Sequence, residues 1–360
     1  MSDMISDTAN RLFATYAGSI FDAIPVSVEA GAAPFPQPLW QAIEDAGFPF
    51  ALLSEAEGGF GLDPLEAFSL VRIAAAHAAP VPLAETMLTN WLLASAGMDL
   101  AEGPAGFVHG SGLTLCAEGT GWRLTGAAAR VAWARDATCL AVLANDPQGQ
   151  TRLARVASGW QRTHGHNLAA EPRCDLTFDL VLHEECVAVA PVSLDTLAAL
   201  GAMLRAHALA GAQEAVLQRS VAYANERVQF GRPISKFQAI QQSLAVMATE
   251  VAAAMAGAGM AAAAFPLARG NSAAFILAAA AAKLRAGEAA GTVASIAHQV
   301  HGAIGFSREY PLHPLTRRLW SWRDEFGNET HWAEAIGTRV ATLGPNMFWP
   351  FLTDMKGDVP

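Results

Sequence analysis

Charge is scarce in this sequence. Asp, Glu, Lys and Arg make up 16% of its 360 residues, against 52% hydrophobic residues. So apolar a chain either hides much of its surface between subunits or lies in a membrane. Apolar runs of transmembrane length, about eighteen residues or more, are also missing without interruption. The nearest, "VAAAMAGAGMAAAAFPLA" (251 to 268), is mostly alanine and glycine and breaks at Pro266. Alanine forms helices well and enters membranes poorly, so the reading is a close-packed helical bundle with no membrane association. Positive charge is short as well: the formal net charge of −10 excludes a general attraction for nucleic acid, and any anionic ligand needs local cations. Cysteine is limited to Cys116, Cys139, Cys174 and Cys186, with no Cys-x-x-Cys pair and no histidine in ligand spacing. That pattern excludes a zinc ribbon or a disulfide framework and predicts four reduced thiols. The start, "MSDMISDTANRLF", has no basic segment followed by an apolar core, so a cytoplasmic location without a secretory signal is expected.

What is present changes texture twice. Residues 1–104 read as helical: "PLWQAIEDAGF" places Leu39, Ile43 and Ala46 at helical spacing up to Gly47. A glycine loop then runs into a helix with Asp63 as N-cap and Pro64 at its first position, and helix resumes from Pro82 to Ala96. Residues 105–190 alternate in short runs between turns, as in "GWRLTGAAARVAWARDATCLAVLA", which predicts an antiparallel sheet or small barrel. From residue 191 to 360 long alanine-rich segments restore the helical period and predict a tightly packed four-helix bundle. The fold class is therefore α+β, ordered helical, β, helical.

Two segments of the last region do not read as mere bundle. "SVAYANERVQFGRPISKFQAIQQ" puts Tyr223 and Arg227 on one helix face, kinks at Gly-Arg-Pro, and restarts a helix with Ser235 as N-cap. A helix N-terminus beside guanidinium groups suits a phosphate or pyrophosphate, and Phe230 and Phe237 are placed to flank a flat ring. "AHQVHGAIGFSREYPLHPLTRRLWSWRDEFGNE" (297 to 329) joins Gln299 to a Gly-Ala-Ile-Gly loop whose backbone N–H groups can approach a ligand closely. Its prolines delay regular helix until Leu315.

These segments resemble the flavin-dependent acyl-CoA dehydrogenases. "RVQFGRPISKFQAIQQSLAVMA" is similar to the family's Arg-x-x-Phe-Gly…Phe-Gln…Gln pattern, and "QVHGAIGFSREYPL" to its Gln-x-x-Gly-Gly-x-Gly…Glu-Tyr-Pro pattern. "LLSEAEGGFGLDPLEAF" resembles its N-terminal glycine loop, and "GWRLTGAAARVAWARDATCLAVLA" its middle-domain hairpin. The resemblance covers nearly the whole chain in the family's order. It implies an N-terminal helical domain, a middle β-domain, a C-terminal four-helix bundle and FAD as cofactor. It further implies that Arg227 meets the pyrophosphate of a neighbouring subunit's FAD, with Gln229 and Phe230 beside it. Phe237 and Gln238 then lie near the adenosine half, with Gln299, Gly302 and Ala303 along the other side. Acyl-CoA is the implied substrate and electron-transfer flavoprotein the implied acceptor.

The chain departs from the family twice. The stretch that holds the flavin ring and thioester, Thr-Glu-Pro…Gly-Ser-Asp, has no counterpart in "GPAGFVHGSGLTLCAEGTGWRLTG" (103 to 126). The base is also displaced. Counting from Arg318 gives Asp324, with Glu325 adjacent, whereas counting back from Arg339 gives Gly327. Removal of an α-proton needs a well-placed carboxylate, and Asp324 and Glu325 are expected instead to pair with Arg317, Arg318 or Arg323. Both losses resemble the degenerate subunit of bacterial heterotetrameric, steroid-type family members, whose partner carries the ring site and base. The alternatives are a self-sufficient homotetramer using Asp324 or Glu325, and a flavin-free helical scaffold or thioester-binding module.

Overall fold

The computed structural model describes residues 2–24, 31–347 and 349–350. The chain divides into two compact units: residues 1–70 with 80–198, and residues 71–79 with 199–360.

The first unit opens with α1 (Ser2–Thr15), α2 (Ala17–Asp22) and α3 (Gln37–Asp45), and α3 buries Leu39, Trp40 and Ile43. Gly47 ends that region in the left-handed conformation, and a Cβ there would lie 2.5 Å from the Phe60 ring. Only glycine fits. Next, α4 (Pro64–Ala76) starts as its sequence demands: the Asp63 carboxylate accepts the Leu65 N–H at 2.9 Å, and Pro64 occupies the first turn. The following helix, α5 (Leu83–Ser95), is buried from Leu83 through Leu93. Its Thr86 hydroxyl both accepts from Ala105 N (3.0 Å) and donates to Ala105 O (3.1 Å), fastening the helix to the start of the sheet.

The sheet comprises β1 (Ala105–Glu118), β2 (Gly121–Ala132), β3 (Cys139–Asn145), β4 (Thr151–Val156), β5 (Gln161–Thr163), β6 (Arg173–His183) and β7 (Val187–Val189). Their order is β5-β6-β2-β1-β3-β4-β7. β6 alternates Cys174, Leu176 and Phe178 inward with Asp175, Thr177 and Asp179 outward, the period-two pattern of a one-sided strand. By contrast, β3 is buried from Cys139 through Ala144 and reads as a continuous apolar run. One feature corrects the expectation of a wholly antiparallel sheet. β3 returns on the far side of β1 from β2 and pairs with β1 in parallel, Ala105 opposite Cys139.

The second unit is a bundle of α6 (Leu194–Glu226), α7 (Gln238–Ala264), α8 (Ala273–His301) and α10 (Glu329–Leu343), joined by the short α9 (His313–Trp322). Small residues let the helices close in. Gly211 of α6 meets the end of α4, where a Cβ would sit 2.1 Å from the Arg72 carbonyl oxygen. Gln213 donates from α6 to the Ala286 carbonyl of α8 at 2.7 Å. The stretch Gln238–Gly270 is long and apolar enough to cross a membrane by length and composition alone. Its inner row of Met247, Val251, Ala254, Ala258 and Ala261 is buried in the bundle.

Two helix starts differ from the sequence reading. Ser235 does not cap α7: Ile234–Lys236 forms a tight helical turn, Phe237 takes the cap position, and the Ser235 carbonyl accepts from the Gln241 side chain at 2.9 Å. α9 begins at His313 rather than Leu315, because Pro314 falls in the first turn, where its missing N–H costs nothing.

Candidate functional site

The candidate site grows from the end of α6. Arg227 N–H donates to Tyr223 O at 2.8 Å, one step past the last helical residue. The chain then reverses through a two-residue hairpin, β8 (Val228–Gln229) against β9 (Arg232–Pro233). Its tip, Phe230 and Gly231, has φ of +50° and +79°. A left-handed phenylalanine is uncommon and costly, and Phe230 is also 91% exposed. Phe237 stands edge-on to it with ring centroids 6.2 Å apart, and the Arg232 guanidinium lies over Phe237 at 4.3 Å. Arg232 is thus engaged with a ring, whereas Arg227 has no ion pair or side-chain hydrogen bond among the described residues. Gln229, Gln238, Gln299, Gly302 and Ala303 are all exposed, and Phe237 is half-buried.

The ends of α6 and α8 meet at the root of this hairpin. Tyr223 stacks on His301 at 4.5 Å and donates its hydroxyl to His301 O at 3.4 Å. The next residue, Gly302, takes φ +62° and turns the chain into Ala303. His301 Nε2 and the Tyr310 hydroxyl are 3.2 Å apart, while His298 lies between the rings of Phe306 and Trp320. Burial, reinforced by neighbouring positive charge, holds both histidines below their ordinary pKa. Sequence reading missed this aromatic–imidazole cluster; the signal was His298 and His301 at i, i+3 beside a tyrosine nine residues on.

Arg227, Gln229, Phe230, Phe237, Gln238, Gln299, Gly302 and Ala303 therefore gather at one end of the bundle. Asp324 and Glu325 do not. They lie on the turn after α9, beside Lys283 of α8, which is eighteen residues before His301 and so about 27 Å from it along the helix. The turn is tied from several sides. Buried Lys283 donates to Arg323 O (2.5 Å) and Gly327 O (2.7 Å), and Trp332 Nε1 donates to Phe326 O (2.9 Å). Arg205 of α6 meets Glu325 at 2.6 Å, and Arg323 meets Glu329 at 3.0 Å. Beside the arginines expected from the sequence, Glu325 has a partner in Arg205, and Arg323 pairs with Glu329 while also feeling the charge of Asp324. Burial depresses the Lys283 pKa to about 8 although Glu329, Glu325 and Asp324 oppose the fall.

Residues 192–338 match the family model described as the acyl-CoA dehydrogenase C-terminal domain. This part of the chain resembles an acyl-CoA dehydrogenase C-terminal domain. The chain as a whole has the acyl-CoA dehydrogenase fold. It is similar to acyl-CoA dehydrogenase IpdE2 of Mycobacterium tuberculosis, with 29% identity across 88% of this chain and 89% of that protein. Other curated relatives match locally, over about a quarter of their own length. Among solved structures, the Tcur3481-Tcur3483 steroid ACAD variant superposes with a TM-score of 0.80 at 25% identity, covering 95% of this chain and 98% of that one. The ChsE4-ChsE5 complex of Mycobacterium tuberculosis gives 0.82 at 20% identity, covering 96% and 98%. The family's oxidoreductases are FAD-dependent.

The residues at the hairpin end fit part of that cofactor. A guanidinium without a partner among the described residues suits a diphosphate, the exposed Phe230 and half-buried Phe237 rings suit an adenine, and the backbone at Gly302 is bare of side chain.

Proposed function

We propose that this chain is a subunit of an FAD-dependent acyl-CoA dehydrogenase that clamps the nucleotide half of a flavin held by a second, unlike subunit. FAD, when bound, would supply the hydride-accepting chemistry for α,β-dehydrogenation of an acyl-CoA thioester. This chain's own work is binding. Arg227 holds the diphosphate by charge-assisted hydrogen bonds, Phe230 and Phe237 flank the adenine, and Gln299, Gly302 and Ala303 close the other side. Gln229 and Gln238 line the approach.

The observation that carries this reading is the outward direction of the whole set. Phe230 is held in a costly conformation with its ring in solvent, and the Arg227 side chain has no partner among the described residues. Such a group is built to be covered from outside. The catalytic carboxylate then belongs to the other subunit, because Glu325 is already paired with Arg205. An α₂β₂ assembly follows from one such clamp for each complete subunit. A steroid-type thioester is the favoured substrate class, because one of the similar structures is a steroid ACAD. The acceptor is electron-transfer flavoprotein.

The test is flavin content. The chain purified alone is expected to be nearly colourless and to gain FAD when co-expressed with a complete family member. Stoichiometric yellow flavin in the lone chain would show a self-sufficient enzyme. Absence of flavin with every such partner would leave a scaffold.

A further inference from the structure

Arg219 stands in the second half of α6, one turn before Tyr223 and two before Arg227, on the same face. Its Nε is shut off from solvent without an acceptor, and no carboxylate pairs with it among the described residues. Burial lowers its pKa, and among the described residues Tyr310 is the neighbour that favours its charge. Around it lie His77 from the end of α4 and His301 from the end of α8, and its positive charge adds to burial in keeping both neutral. Tyr223 and His298 adjoin His301, and Glu226 acts on Tyr310. Arg219, His77, Tyr223 and Tyr310 are each partly exposed, so the cluster opens to solvent.

A desolvated guanidinium without a counter-charge is unfavourable unless an anion reaches it. We propose that Arg219, His77, His301 and Tyr310 form a binding site for a phosphate-type oxyanion. Arg219 supplies the planar fork that suits tetrahedral oxyanions. In the neutral state His301 donates from Nδ1 to Ala297 O (2.8 Å), leaving Nε2 to accept from the Tyr310 hydroxyl. An arriving anion favours the imidazolium, which donates from Nε2 and frees the Tyr310 hydroxyl to turn toward the oxyanion. Binding therefore takes up protons. The site is distinct from the clamp: eight residues separate Arg219 from Arg227, about 12 Å along the helix.

The test uses the full chain and inorganic phosphate, against chloride at equal ionic strength. Tm is expected to rise with phosphate concentration as mass action requires. Calorimetry in buffers of different ionisation enthalpy should show proton uptake at pH 7. Arg219→Gln should abolish the phosphate-dependent rise without lowering Tm in chloride, since it removes an unpaired charge. Arg219→Lys should keep the rise at about ten-fold weaker affinity, and supplies the comparison if the glutamine variant does not fold. Arg227→Ala should keep the phosphate response intact, which separates this site from the proposed clamp. ADP distinguishes the source: a gain lost in both Arg219→Gln and Arg227→Ala assigns the phosphate to the clamped nucleotide, and a gain lost only in Arg219→Gln assigns it to free phosphate. Equal Tm of wild type in phosphate and chloride would overturn the proposal. So would an equal rise in wild type and Arg219→Gln, or binding without proton uptake.

Discussion

Two regions packed along α8 carry chemically similar residues in opposite states. At the hairpin, Arg227 and Phe230 reach into solvent, and among the described residues the Arg227 side chain has no ion pair or hydrogen bond. At the other, Lys283, Arg205, Arg323, Glu325 and Glu329 are bound to one another or to backbone carbonyls around a single turn. Polar groups that complete each other inside a fold are part of its stability. Groups left facing outward and unpartnered are available to a ligand or a second chain. By that criterion, the proposed function assigns the carboxylate turn to architecture and the hairpin to the working surface.

The comparison breaks most visibly at Lys283. Lys283→Met leaves the Arg323 and Gly327 carbonyls without their donor, at a cost of roughly 1–3 kcal/mol for each orphaned group, so Tm should drop by several degrees in thermal unfolding. FAD retention per folded assembly should not change. The pH dependence has a definite sign. The folded pKa of about 8 lies below the ordinary 10.5, so unfolding takes up a proton across that window and this group makes stability rise with pH from 8 to 10.5. The variant should lose that slope. A Lys283→Met protein that keeps wild-type Tm but sheds flavin would merge the two regions the account separates.

A smaller effect is expected from the carboxylates. Asp324→Asn and Glu325→Gln in the assembled enzyme should leave turnover within several-fold, whereas loss of a true general base costs about 100-fold or more. A collapse of activity with flavin content intact would make the turn catalytic after all.

The sequence revealed these two regions unequally. The hairpin was legible because its elements are local: Arg227, Phe230, Pro233 and Phe237 fall within eleven residues, and turn chemistry acts over that distance. The cap of α7 was misread because a tight turn inserted by Pro233 moved the helix start from Ser235 to Gln238. The tied turn was not legible. Arg205 is 120 residues from Glu325 and Lys283 is 44 from Gly327, so only tertiary packing brings them together. The α+β order and the bundle were readable from periodicity. The parallel β1–β3 pairing was not, because alternation specifies which face a residue takes and says nothing of which strand lies beside it.

The most direct test of the central claim is FAD dissociation from the assembled complex, followed by recovery of flavin fluorescence, for Arg227→Ala and Arg232→Ala at equal ionic strength. Hydrogen bonds to charged groups are worth roughly 1.5–3 kcal/mol, so Arg227→Ala should weaken retention by about ten- to a hundred-fold. Arg232→Ala, whose guanidinium lies over Phe237, should do much less. Retention by Arg227→Ala equal to wild type would contradict the account and leave the hairpin a packing element.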